Sequence, residues 1–156
     1  MIPYLVALAG MVLVAHSSDR TLERRYHAAI PAIIAAVFLL LLGTTAISSA
    51  FLSVVLWCFV GAGIFSLYGS FWALPNEFLS GLSAAAGIAL INSIGNLGGF
   101  VGPLSVGAIN RRTGSFRGGF LLAGISLFVS ATLILMLRNR TKRDVMPPPV
   151  SNAVQA

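Results

Sequence analysis

An all-α integral membrane protein is the fold class that this sequence predicts, on three observations. Hydrophobic residues make up 57% of the 156 positions and charged residues only 9%, and the mean hydropathy is +0.92. A soluble globular domain has about 25% charged residues. Long apolar runs alternate with short polar segments that contain the basic residues, which is the pattern of membrane-spanning helices and their connecting loops.

The net charge of +6 is explained by basic residues in the loops between membrane spans rather than by nucleic-acid binding. A nucleic-acid-binding domain would need a basic folded face with interleaved aromatic residues, whereas these basic residues lie in loops. The single cysteine, Cys58, lies in an apolar run, so an intramolecular disulfide and a cysteine metal cluster are excluded. We expect the lipid bilayer as a partner, and no nucleic acid, metal or cofactor.

The apolar runs predict one partial and four complete spans. The first run, 1–15, is short for a crossing and has no basic residues ahead of it, so we expect the remainder of a helix whose beginning is missing. Pro75-Asn76-Glu77 is expected to end a span and to lead into a short connector. The complete spans are expected at 28–47, 51–74, 84–109 and 119–137, within a membrane domain over 1–140. The segment 141–156 turns rich in proline and is expected to be a disordered tail.

The distribution of basic residues predicts the orientation. The loop 16–27 and the tail from Arg138 onward hold seven of the ten Lys and Arg residues, and four spans between them place both segments on one side. The positive-inside rule makes that side the cytoplasm. The loop 110–118 holds the other three basic residues and then lies outside, against the same rule.

Glycines and a proline mark the span 84–109 as a packing and bending segment. Gly87, Gly95 and Gly99 are separated by multiples of four residues, so they share a helix face on which another helix can approach closely. Gly102 lies in the same glycine-rich stretch, and Pro103 predicts a bend because it removes a backbone donor.

Two amides follow the same spacing. Asn92 and Asn96 are costly at bilayer depth unless they face a partner or a water-filled cavity. By itself, this stretch gives equal support to two interpretations: part of a substrate path, or a purely structural packing surface.

Two parts of the sequence resemble the C-terminal half of a major facilitator superfamily transporter. Ala15-His-Ser-Ser-Asp19-Arg20-Thr-Leu-Glu-Arg24-Arg25 resembles the second copy of the superfamily's loop motif Gly-x-x-x-Asp-Arg-x-Gly-Arg-Arg, with Ala15 and Leu22 at the glycine positions. Helices ten and eleven of the anion:cation symporter family are similar to Gly69-Ser-Phe-Trp-Ala-Leu-Pro-Asn-Glu-Phe-Leu-Ser-Gly81 and to Gly87-Ile-Ala-Leu-Ile-Asn-Ser-Ile-Gly-Asn-Leu-Gly-Gly-Phe-Val-Gly-Pro103.

The resemblance covers nearly all of 1–140 and implies a partial bundle of that fold, from part of helix eight to helix twelve. It implies symport of a small organic anion, such as a sugar acid, tartrate or an aromatic acid, coupled to H⁺ or Na⁺. The expected location is a bacterial inner membrane, with the C-terminus in the cytoplasm. The missing N-terminal helices, in cis or in trans, would be a partner and would hold the anion-clamping arginine.

On this resemblance, Asn92 and Asn96 are the best candidates for substrate contact, with Ser93 beside them, because amides offer both donors and acceptors. Ser66, Tyr68 and Ser70 are weaker candidates. The alternatives are interhelical hydrogen bonds for the amides and bonds to the helix's own carbonyls for the serines.

The charged loop residues are expected to form a cytoplasmic network that holds one conformation of two rocking bundles. The alternative is a solvated loop that only sets topology. The residues concerned are Asp19, Arg20, Arg24 and Arg25.

An enzyme is not expected. Both histidines, His16 and His27, lie in the first loop, away from any serine within a span, and a phosphate-binding glycine loop is lacking. A non-transporting structural or assembly membrane protein, and an inactive gene fragment, are the alternatives to transport.

Overall fold

The computed structural model describes residues 1–137, except for the side chains of residues 77 and 78. Each helix in this part is long and apolar enough to cross a membrane, which confirms the prediction of an all-α membrane protein. The helices are α1 (Ile2–Thr21), α2 (Arg24–Thr44), α3 (Ala50–Phe78), α4 (Leu82–Thr113) and α5 (Arg117–Met136).

The helices extend beyond the predicted spans at most of their ends, because polar residues continue the helical hydrogen bonds past the apolar segments. The predicted loop 16–27 is mostly helical, and only residues 22–23 separate α1 from α2. The predicted loop 110–118 is likewise reduced to residues 114–116. The predicted tail, 141–156, lies outside the described residues.

Pro75 does not interrupt α3, in contrast to the prediction of a break and a connector over 78–83. The helix continues to Phe78, and the amide of Leu79 donates to the Pro75 carbonyl at 2.9 Å. Proline removes one donor from the ladder, and packed neighbouring helices make this loss tolerable in a membrane protein. α4 is also continuous through Pro103, and the bend there stays a prediction.

α2 is the central helix, since it packs against α3 on one side and against α5 on the other. Half of its most apolar 18-residue window is buried, compared with 6% of the corresponding window of α4. Its buried positions are mainly alanines, which keep the helix thin: Ala28, Ala29, Ala32, Ala35 and Ala36.

Glycines on the partners of α2 bring the backbones into close contact. A Cβ atom placed on Gly63 of α3 would lie 2.5 Å from the Pro31 carbonyl oxygen and 2.8 Å from the Cβ of Ala35. A Cβ on Gly124 of α5 would lie 3.1 Å from the Ala36 carbonyl oxygen. Small residues therefore allow α2 to pack between two helices, as is usual in bilayers.

The contacts also fix the helix directions. Gly61 lies near Ala7, and Gly69 lies near Ala15, so α1 and α3 run parallel. α2 and α4 run the opposite way, because consecutive helices are joined by short connections. The turn between α1 and α2 and the last residue of α5 therefore lie at one end of the bundle, the α1–α2 end. The turn between α4 and α5 lies at the other, the α4–α5 end.

Replacement of Gly63 by alanine tests the close contact between α2 and α3. We expect Gly63→Ala to lower the free energy of unfolding by about 1–3 kcal/mol, because the added methyl group meets backbone atoms that cannot rotate away. Unfolding of the chain in detergent, followed by circular dichroism, gives this value.

Gly98→Ala is the matched control, since a Cβ at Gly98 has no neighbour within 4 Å. It should leave stability unchanged or raise it slightly through helix propensity. An equal loss in both variants would contradict the proposed contact.

Candidate functional site

The central part of α4 is exposed along its whole circumference. Every residue from 92 to 101 is exposed, including Asn92 and Asn96. Added Cβ atoms at Gly95, Gly99 and Gly102 would meet nothing within 4 Å. Among residues 1–137, the predicted packing face is therefore open from Gly95 to Gly102, and the packing of another helix on it stays a prediction.

Two of the predicted α4 residues contact their own surroundings. The Ser93 hydroxyl donates to the Ala89 carbonyl at 2.8 Å, which is the local bond expected for a serine in a membrane helix. Its oxygen can still accept a hydrogen bond from a ligand. A Cβ on Gly87 would lie 2.5 Å from Cδ1 of Leu79, so the α3–α4 connection covers this glycine.

The substrate-contact candidates on α3 differ in how exposed their side chains are. Tyr68 is 46% exposed, and its ring lies 6.3 Å from that of Phe65. Ser70 is only 1% exposed, so a ligand on the open face of α4 does not reach it in this structure. The structure does not bring Ser70 together with the two asparagines.

Buried serines form a polar feature that the sequence reasoning recognised only in part. Ser18 was not predicted, yet it is 1% exposed, and neither its hydroxyl nor that of Ser70 has a hydrogen-bond partner. Ser66 is also buried, and its Oγ would lie 2.8 Å from a Cβ on Gly10. The available signal was the spacing of Ser66 and Ser70, one helical turn apart on α3. Such hydroxyls are open to an ordered water or to an interhelical bond.

The charged motif residues form contacts between helices at the α1–α2 end. Asp19 and Arg24 form an ion pair at 3.4 Å, although Asp19 is largely exposed. Arg25 donates through Nη1 to the Leu137 carbonyl and through Nη2 to the Tyr26 hydroxyl, the latter at 2.9 Å. Arg20 is exposed in the last turn of α1.

These contacts link the ends of α1, α2 and α5. A conformational role for the network stays a prediction. Within the described part of the chain, no three His, Cys, Asp or Glu side chains lie close enough to hold a metal ion.

The backbone explains why the loop motif has a glycine where this chain has Leu22. Leu22 adopts φ +58° and ψ +19°, in the left-handed region that favours glycine, and its amide donates to the Ser18 carbonyl at 2.9 Å. One departure was not recognised from the sequence: Glu23 stands at the first arginine of the motif's final pair, so that Arg24 matches the second and Arg25 follows it.

Leu22→Gly should raise the free energy of unfolding by about 1 kcal/mol, because it removes the steric cost of the left-handed conformation. The Leu22 side chain is about half exposed, so little packing is lost. Chemical unfolding in detergent measures the change. Leu13→Gly is the control, since Leu13 is also exposed but lies within α1, where glycine should lower stability by about 1 kcal/mol.

Arg25→Met should lower the free energy of unfolding by about 1.5–3 kcal/mol, because the Leu137 carbonyl at the C-cap of α5 loses a charged donor. Thermal unfolding in detergent measures this loss. Arg20→Met is the control and should cost less than about 1 kcal/mol, the value of a cation at a helix C-terminus. Equal effects would show that the bond to Leu137 contributes nothing.

Comparison with curated proteins gives relatives over most of the chain. Two proteins of Agrobacterium vitis, each named a putative tartrate transporter, are 42% and 46% identical over 92% and 87% of the chain. A quinolone resistance transporter of Acinetobacter baumannii is 36% identical over 92% of the chain. No family model matches, and no solved structure shows a significant match.

The chain covers 31–32% of the length of these relatives, so it spans about a third of each. All three are named as transporters, in agreement with the prediction that the chain is not an enzyme. These relatives are consistent with the resemblance that its motifs predicted, to the C-terminal part of a major facilitator superfamily transporter.

Proposed function

We propose that this chain is the C-terminal third of a transporter that moves a small organic anion across a bacterial inner membrane. The observation that carries the proposal is the open face of α4, where Asn92 and Asn96 are exposed among glycines in a chain related to transporters. Amides at bilayer depth are costly against lipid and favourable beside a water-filled path.

The chemistry of the amides suits an organic acid. Asn92 and Asn96 can donate N–H groups to carboxylate and hydroxyl oxygens without the cost of burying a second charge. Two relatives are named putative tartrate transporters, which supports a small carboxylate as the substrate class. The six arginines of the described part lie at helix ends, so the charge that balances the anion would come from other helices of the transporter.

Alternating access is the proposed mechanism, with H⁺ or Na⁺ as the coupling ion. The bundle of α1, α2, α3 and α5 is joined by close glycine and alanine contacts and would move as one body. α4 would turn its open face toward the N-terminal helices across the substrate path. The Asp19–Arg24 pair lies at the end that we assign to the cytoplasm, where it would favour one of the two conformations.

In the full-length transporter, Asn92→Ala and Asn96→Ala should each reduce kcat/KM for uptake by about tenfold or more, the value of a hydrogen bond to a charged group. Uptake of labelled tartrate, at matched expression, measures this. Ser130→Ala is the control, because the Ser130 hydroxyl donates to its own helix at the Ser126 carbonyl. Equal effects of all three substitutions would remove the site assignment.

A non-transporting structural membrane protein is the second candidate, since the open glycine face of α4 would also suit the packing of another helix. Uptake should then be absent when the chain is produced alone, and it should remain absent when the N-terminal helices of a relative are co-produced. Uptake restored by those helices would support the transporter assignment.

A further inference from the structure

The charges at the two ends of the bundle differ in a way that transport does not explain. At the α1–α2 end, Arg20, Arg24 and Arg25 lie close in sequence to Asp19 and Glu23. The helix ends on either side of the turn between α4 and α5 hold three arginines. No Asp or Glu occurs between residues 24 and 76 or between residues 78 and 143. The α4–α5 end is therefore strongly basic.

The three arginines, Arg111, Arg112 and Arg117, are all exposed, and we call them the arginine patch. The turn that connects their helices is fixed by hydrogen bonds: the Gly114 amide donates to the Asn110 carbonyl at 2.8 Å, and the Arg117 amide donates to the Ser115 hydroxyl at 3.3 Å. The patch thus has a defined position at the end of two membrane-spanning helices.

The side chain of Arg111 is directed along α4 toward the bilayer. Its Nη1 atom would lie 3.7 Å from a Cβ on Gly107, one turn earlier in the helix. A long basic side chain at a helix end that runs along the apolar surface places its charged group at the level of the lipid headgroups. Phe116, 58% exposed in the same turn, offers an apolar contact at this level.

The helix ends and side chains around the arginine patch offset little of its positive charge. Arg111 and Arg112 lie in the last turn of α4, where the helix dipole favours a cation. Arg117 instead begins α5, where the dipole opposes a cation, and the first turn of α5 has no acidic residue. Among residues 1–137, the guanidinium groups of the patch form no hydrogen bond or ion pair.

We propose that the arginine patch binds the headgroups of anionic phospholipids. Guanidinium groups pair with phosphate oxygens in a bidentate geometry, and three of them on two adjacent helix ends can hold the phosphates of neighbouring lipids. Each basic side chain near an anionic surface contributes up to about fivefold in relative affinity. The proposal does not depend on which side of the membrane the patch faces.

Trp57 is a natural reporter for this surface. Its ring packs edge-on against Phe120, with 5.6 Å between ring centroids, and Phe120 lies three residues after Arg117. Trp57 is also 40% exposed. The second tryptophan, Trp72, is 15 positions further along α3, which places it about 22 Å away toward the other end.

The experiment uses the full chain with Trp72→Phe, reconstituted in phosphatidylcholine vesicles that contain brominated phosphatidylglycerol or brominated phosphatidylcholine. Quenching of Trp57 should be stronger with the anionic lipid. The triple variant Arg111→Gln, Arg112→Gln and Arg117→Gln should abolish the preference, whereas the same three positions changed Arg→Lys should retain most of it. Trp57→Phe, which leaves Trp72 as the reporter, should show no effect of the patch substitutions.

Equal lipid preference in the wild-type patch and in a folded glutamine variant would overturn the proposal. If the glutamine variant loses its helical circular dichroism, the lipid preference of the wild-type patch is measured at high salt instead. About 0.5 M salt shortens the Debye length to roughly 4 Å and should weaken the preference. A preference that persists unchanged at that salt concentration would overturn the proposal. Loss of the preference in about 10 mM inorganic phosphate would assign the patch to a soluble anion instead.

Discussion

The close packing of α2 between α3 and α5 is the constraint on which the rest of the structure depends. Helices already in a bilayer gain little from the hydrophobic effect when they associate, so contact area and backbone proximity must hold them together. The alanines of α2 and the glycines that face them, such as Gly63 and Gly124, permit this proximity. Larger side chains at these positions would separate the helices and leave gaps that lipid cannot fill.

α4 contains the same type of residue in a different environment. Its glycines at 95, 98, 99 and 102 have no neighbours, whereas those on α3 and α5 contact other helices of the chain. α4 is held mainly near its ends, by Leu79 against Gly87 and by Val106 against Gly119. This face combines small residues with two amides and has no partner among residues 1–137. Under the proposed function, it is suited to meet the other part of a transporter.

The polar groups are distributed between the interior and the two ends. Ser18 and Ser70 are buried with unused hydroxyls, which provide sites where water or a rearranged contact can be accommodated. Charged groups at the α1–α2 end are partly paired with one another, and Arg25 also joins α2 to Leu137, which follows α5 directly. The arginines at the α4–α5 end have no acidic neighbours in sequence and are positioned to interact with lipid phosphates.

The sequence by itself determined the fold class and the resemblance to transporters, because apolar runs of sufficient length and motifs such as Asp19-Arg20 are local properties. It indicated only a partial first span, whereas α1, at 20 residues, is long enough to cross a membrane. Helix ends were less predictable: α3 continues through Pro75 because packed neighbours compensate for one missing bond, and α1 continues to Thr21 because polar residues also form helix. Only the tertiary structure decided which small residues meet a neighbour. Gly63 and Gly95 are both glycines within apolar helices, so their sequence surroundings do not distinguish them. In the structure, Gly63 lies against the backbone of α2 and Gly95 faces open space, because burial depends on how helices distant in sequence pack.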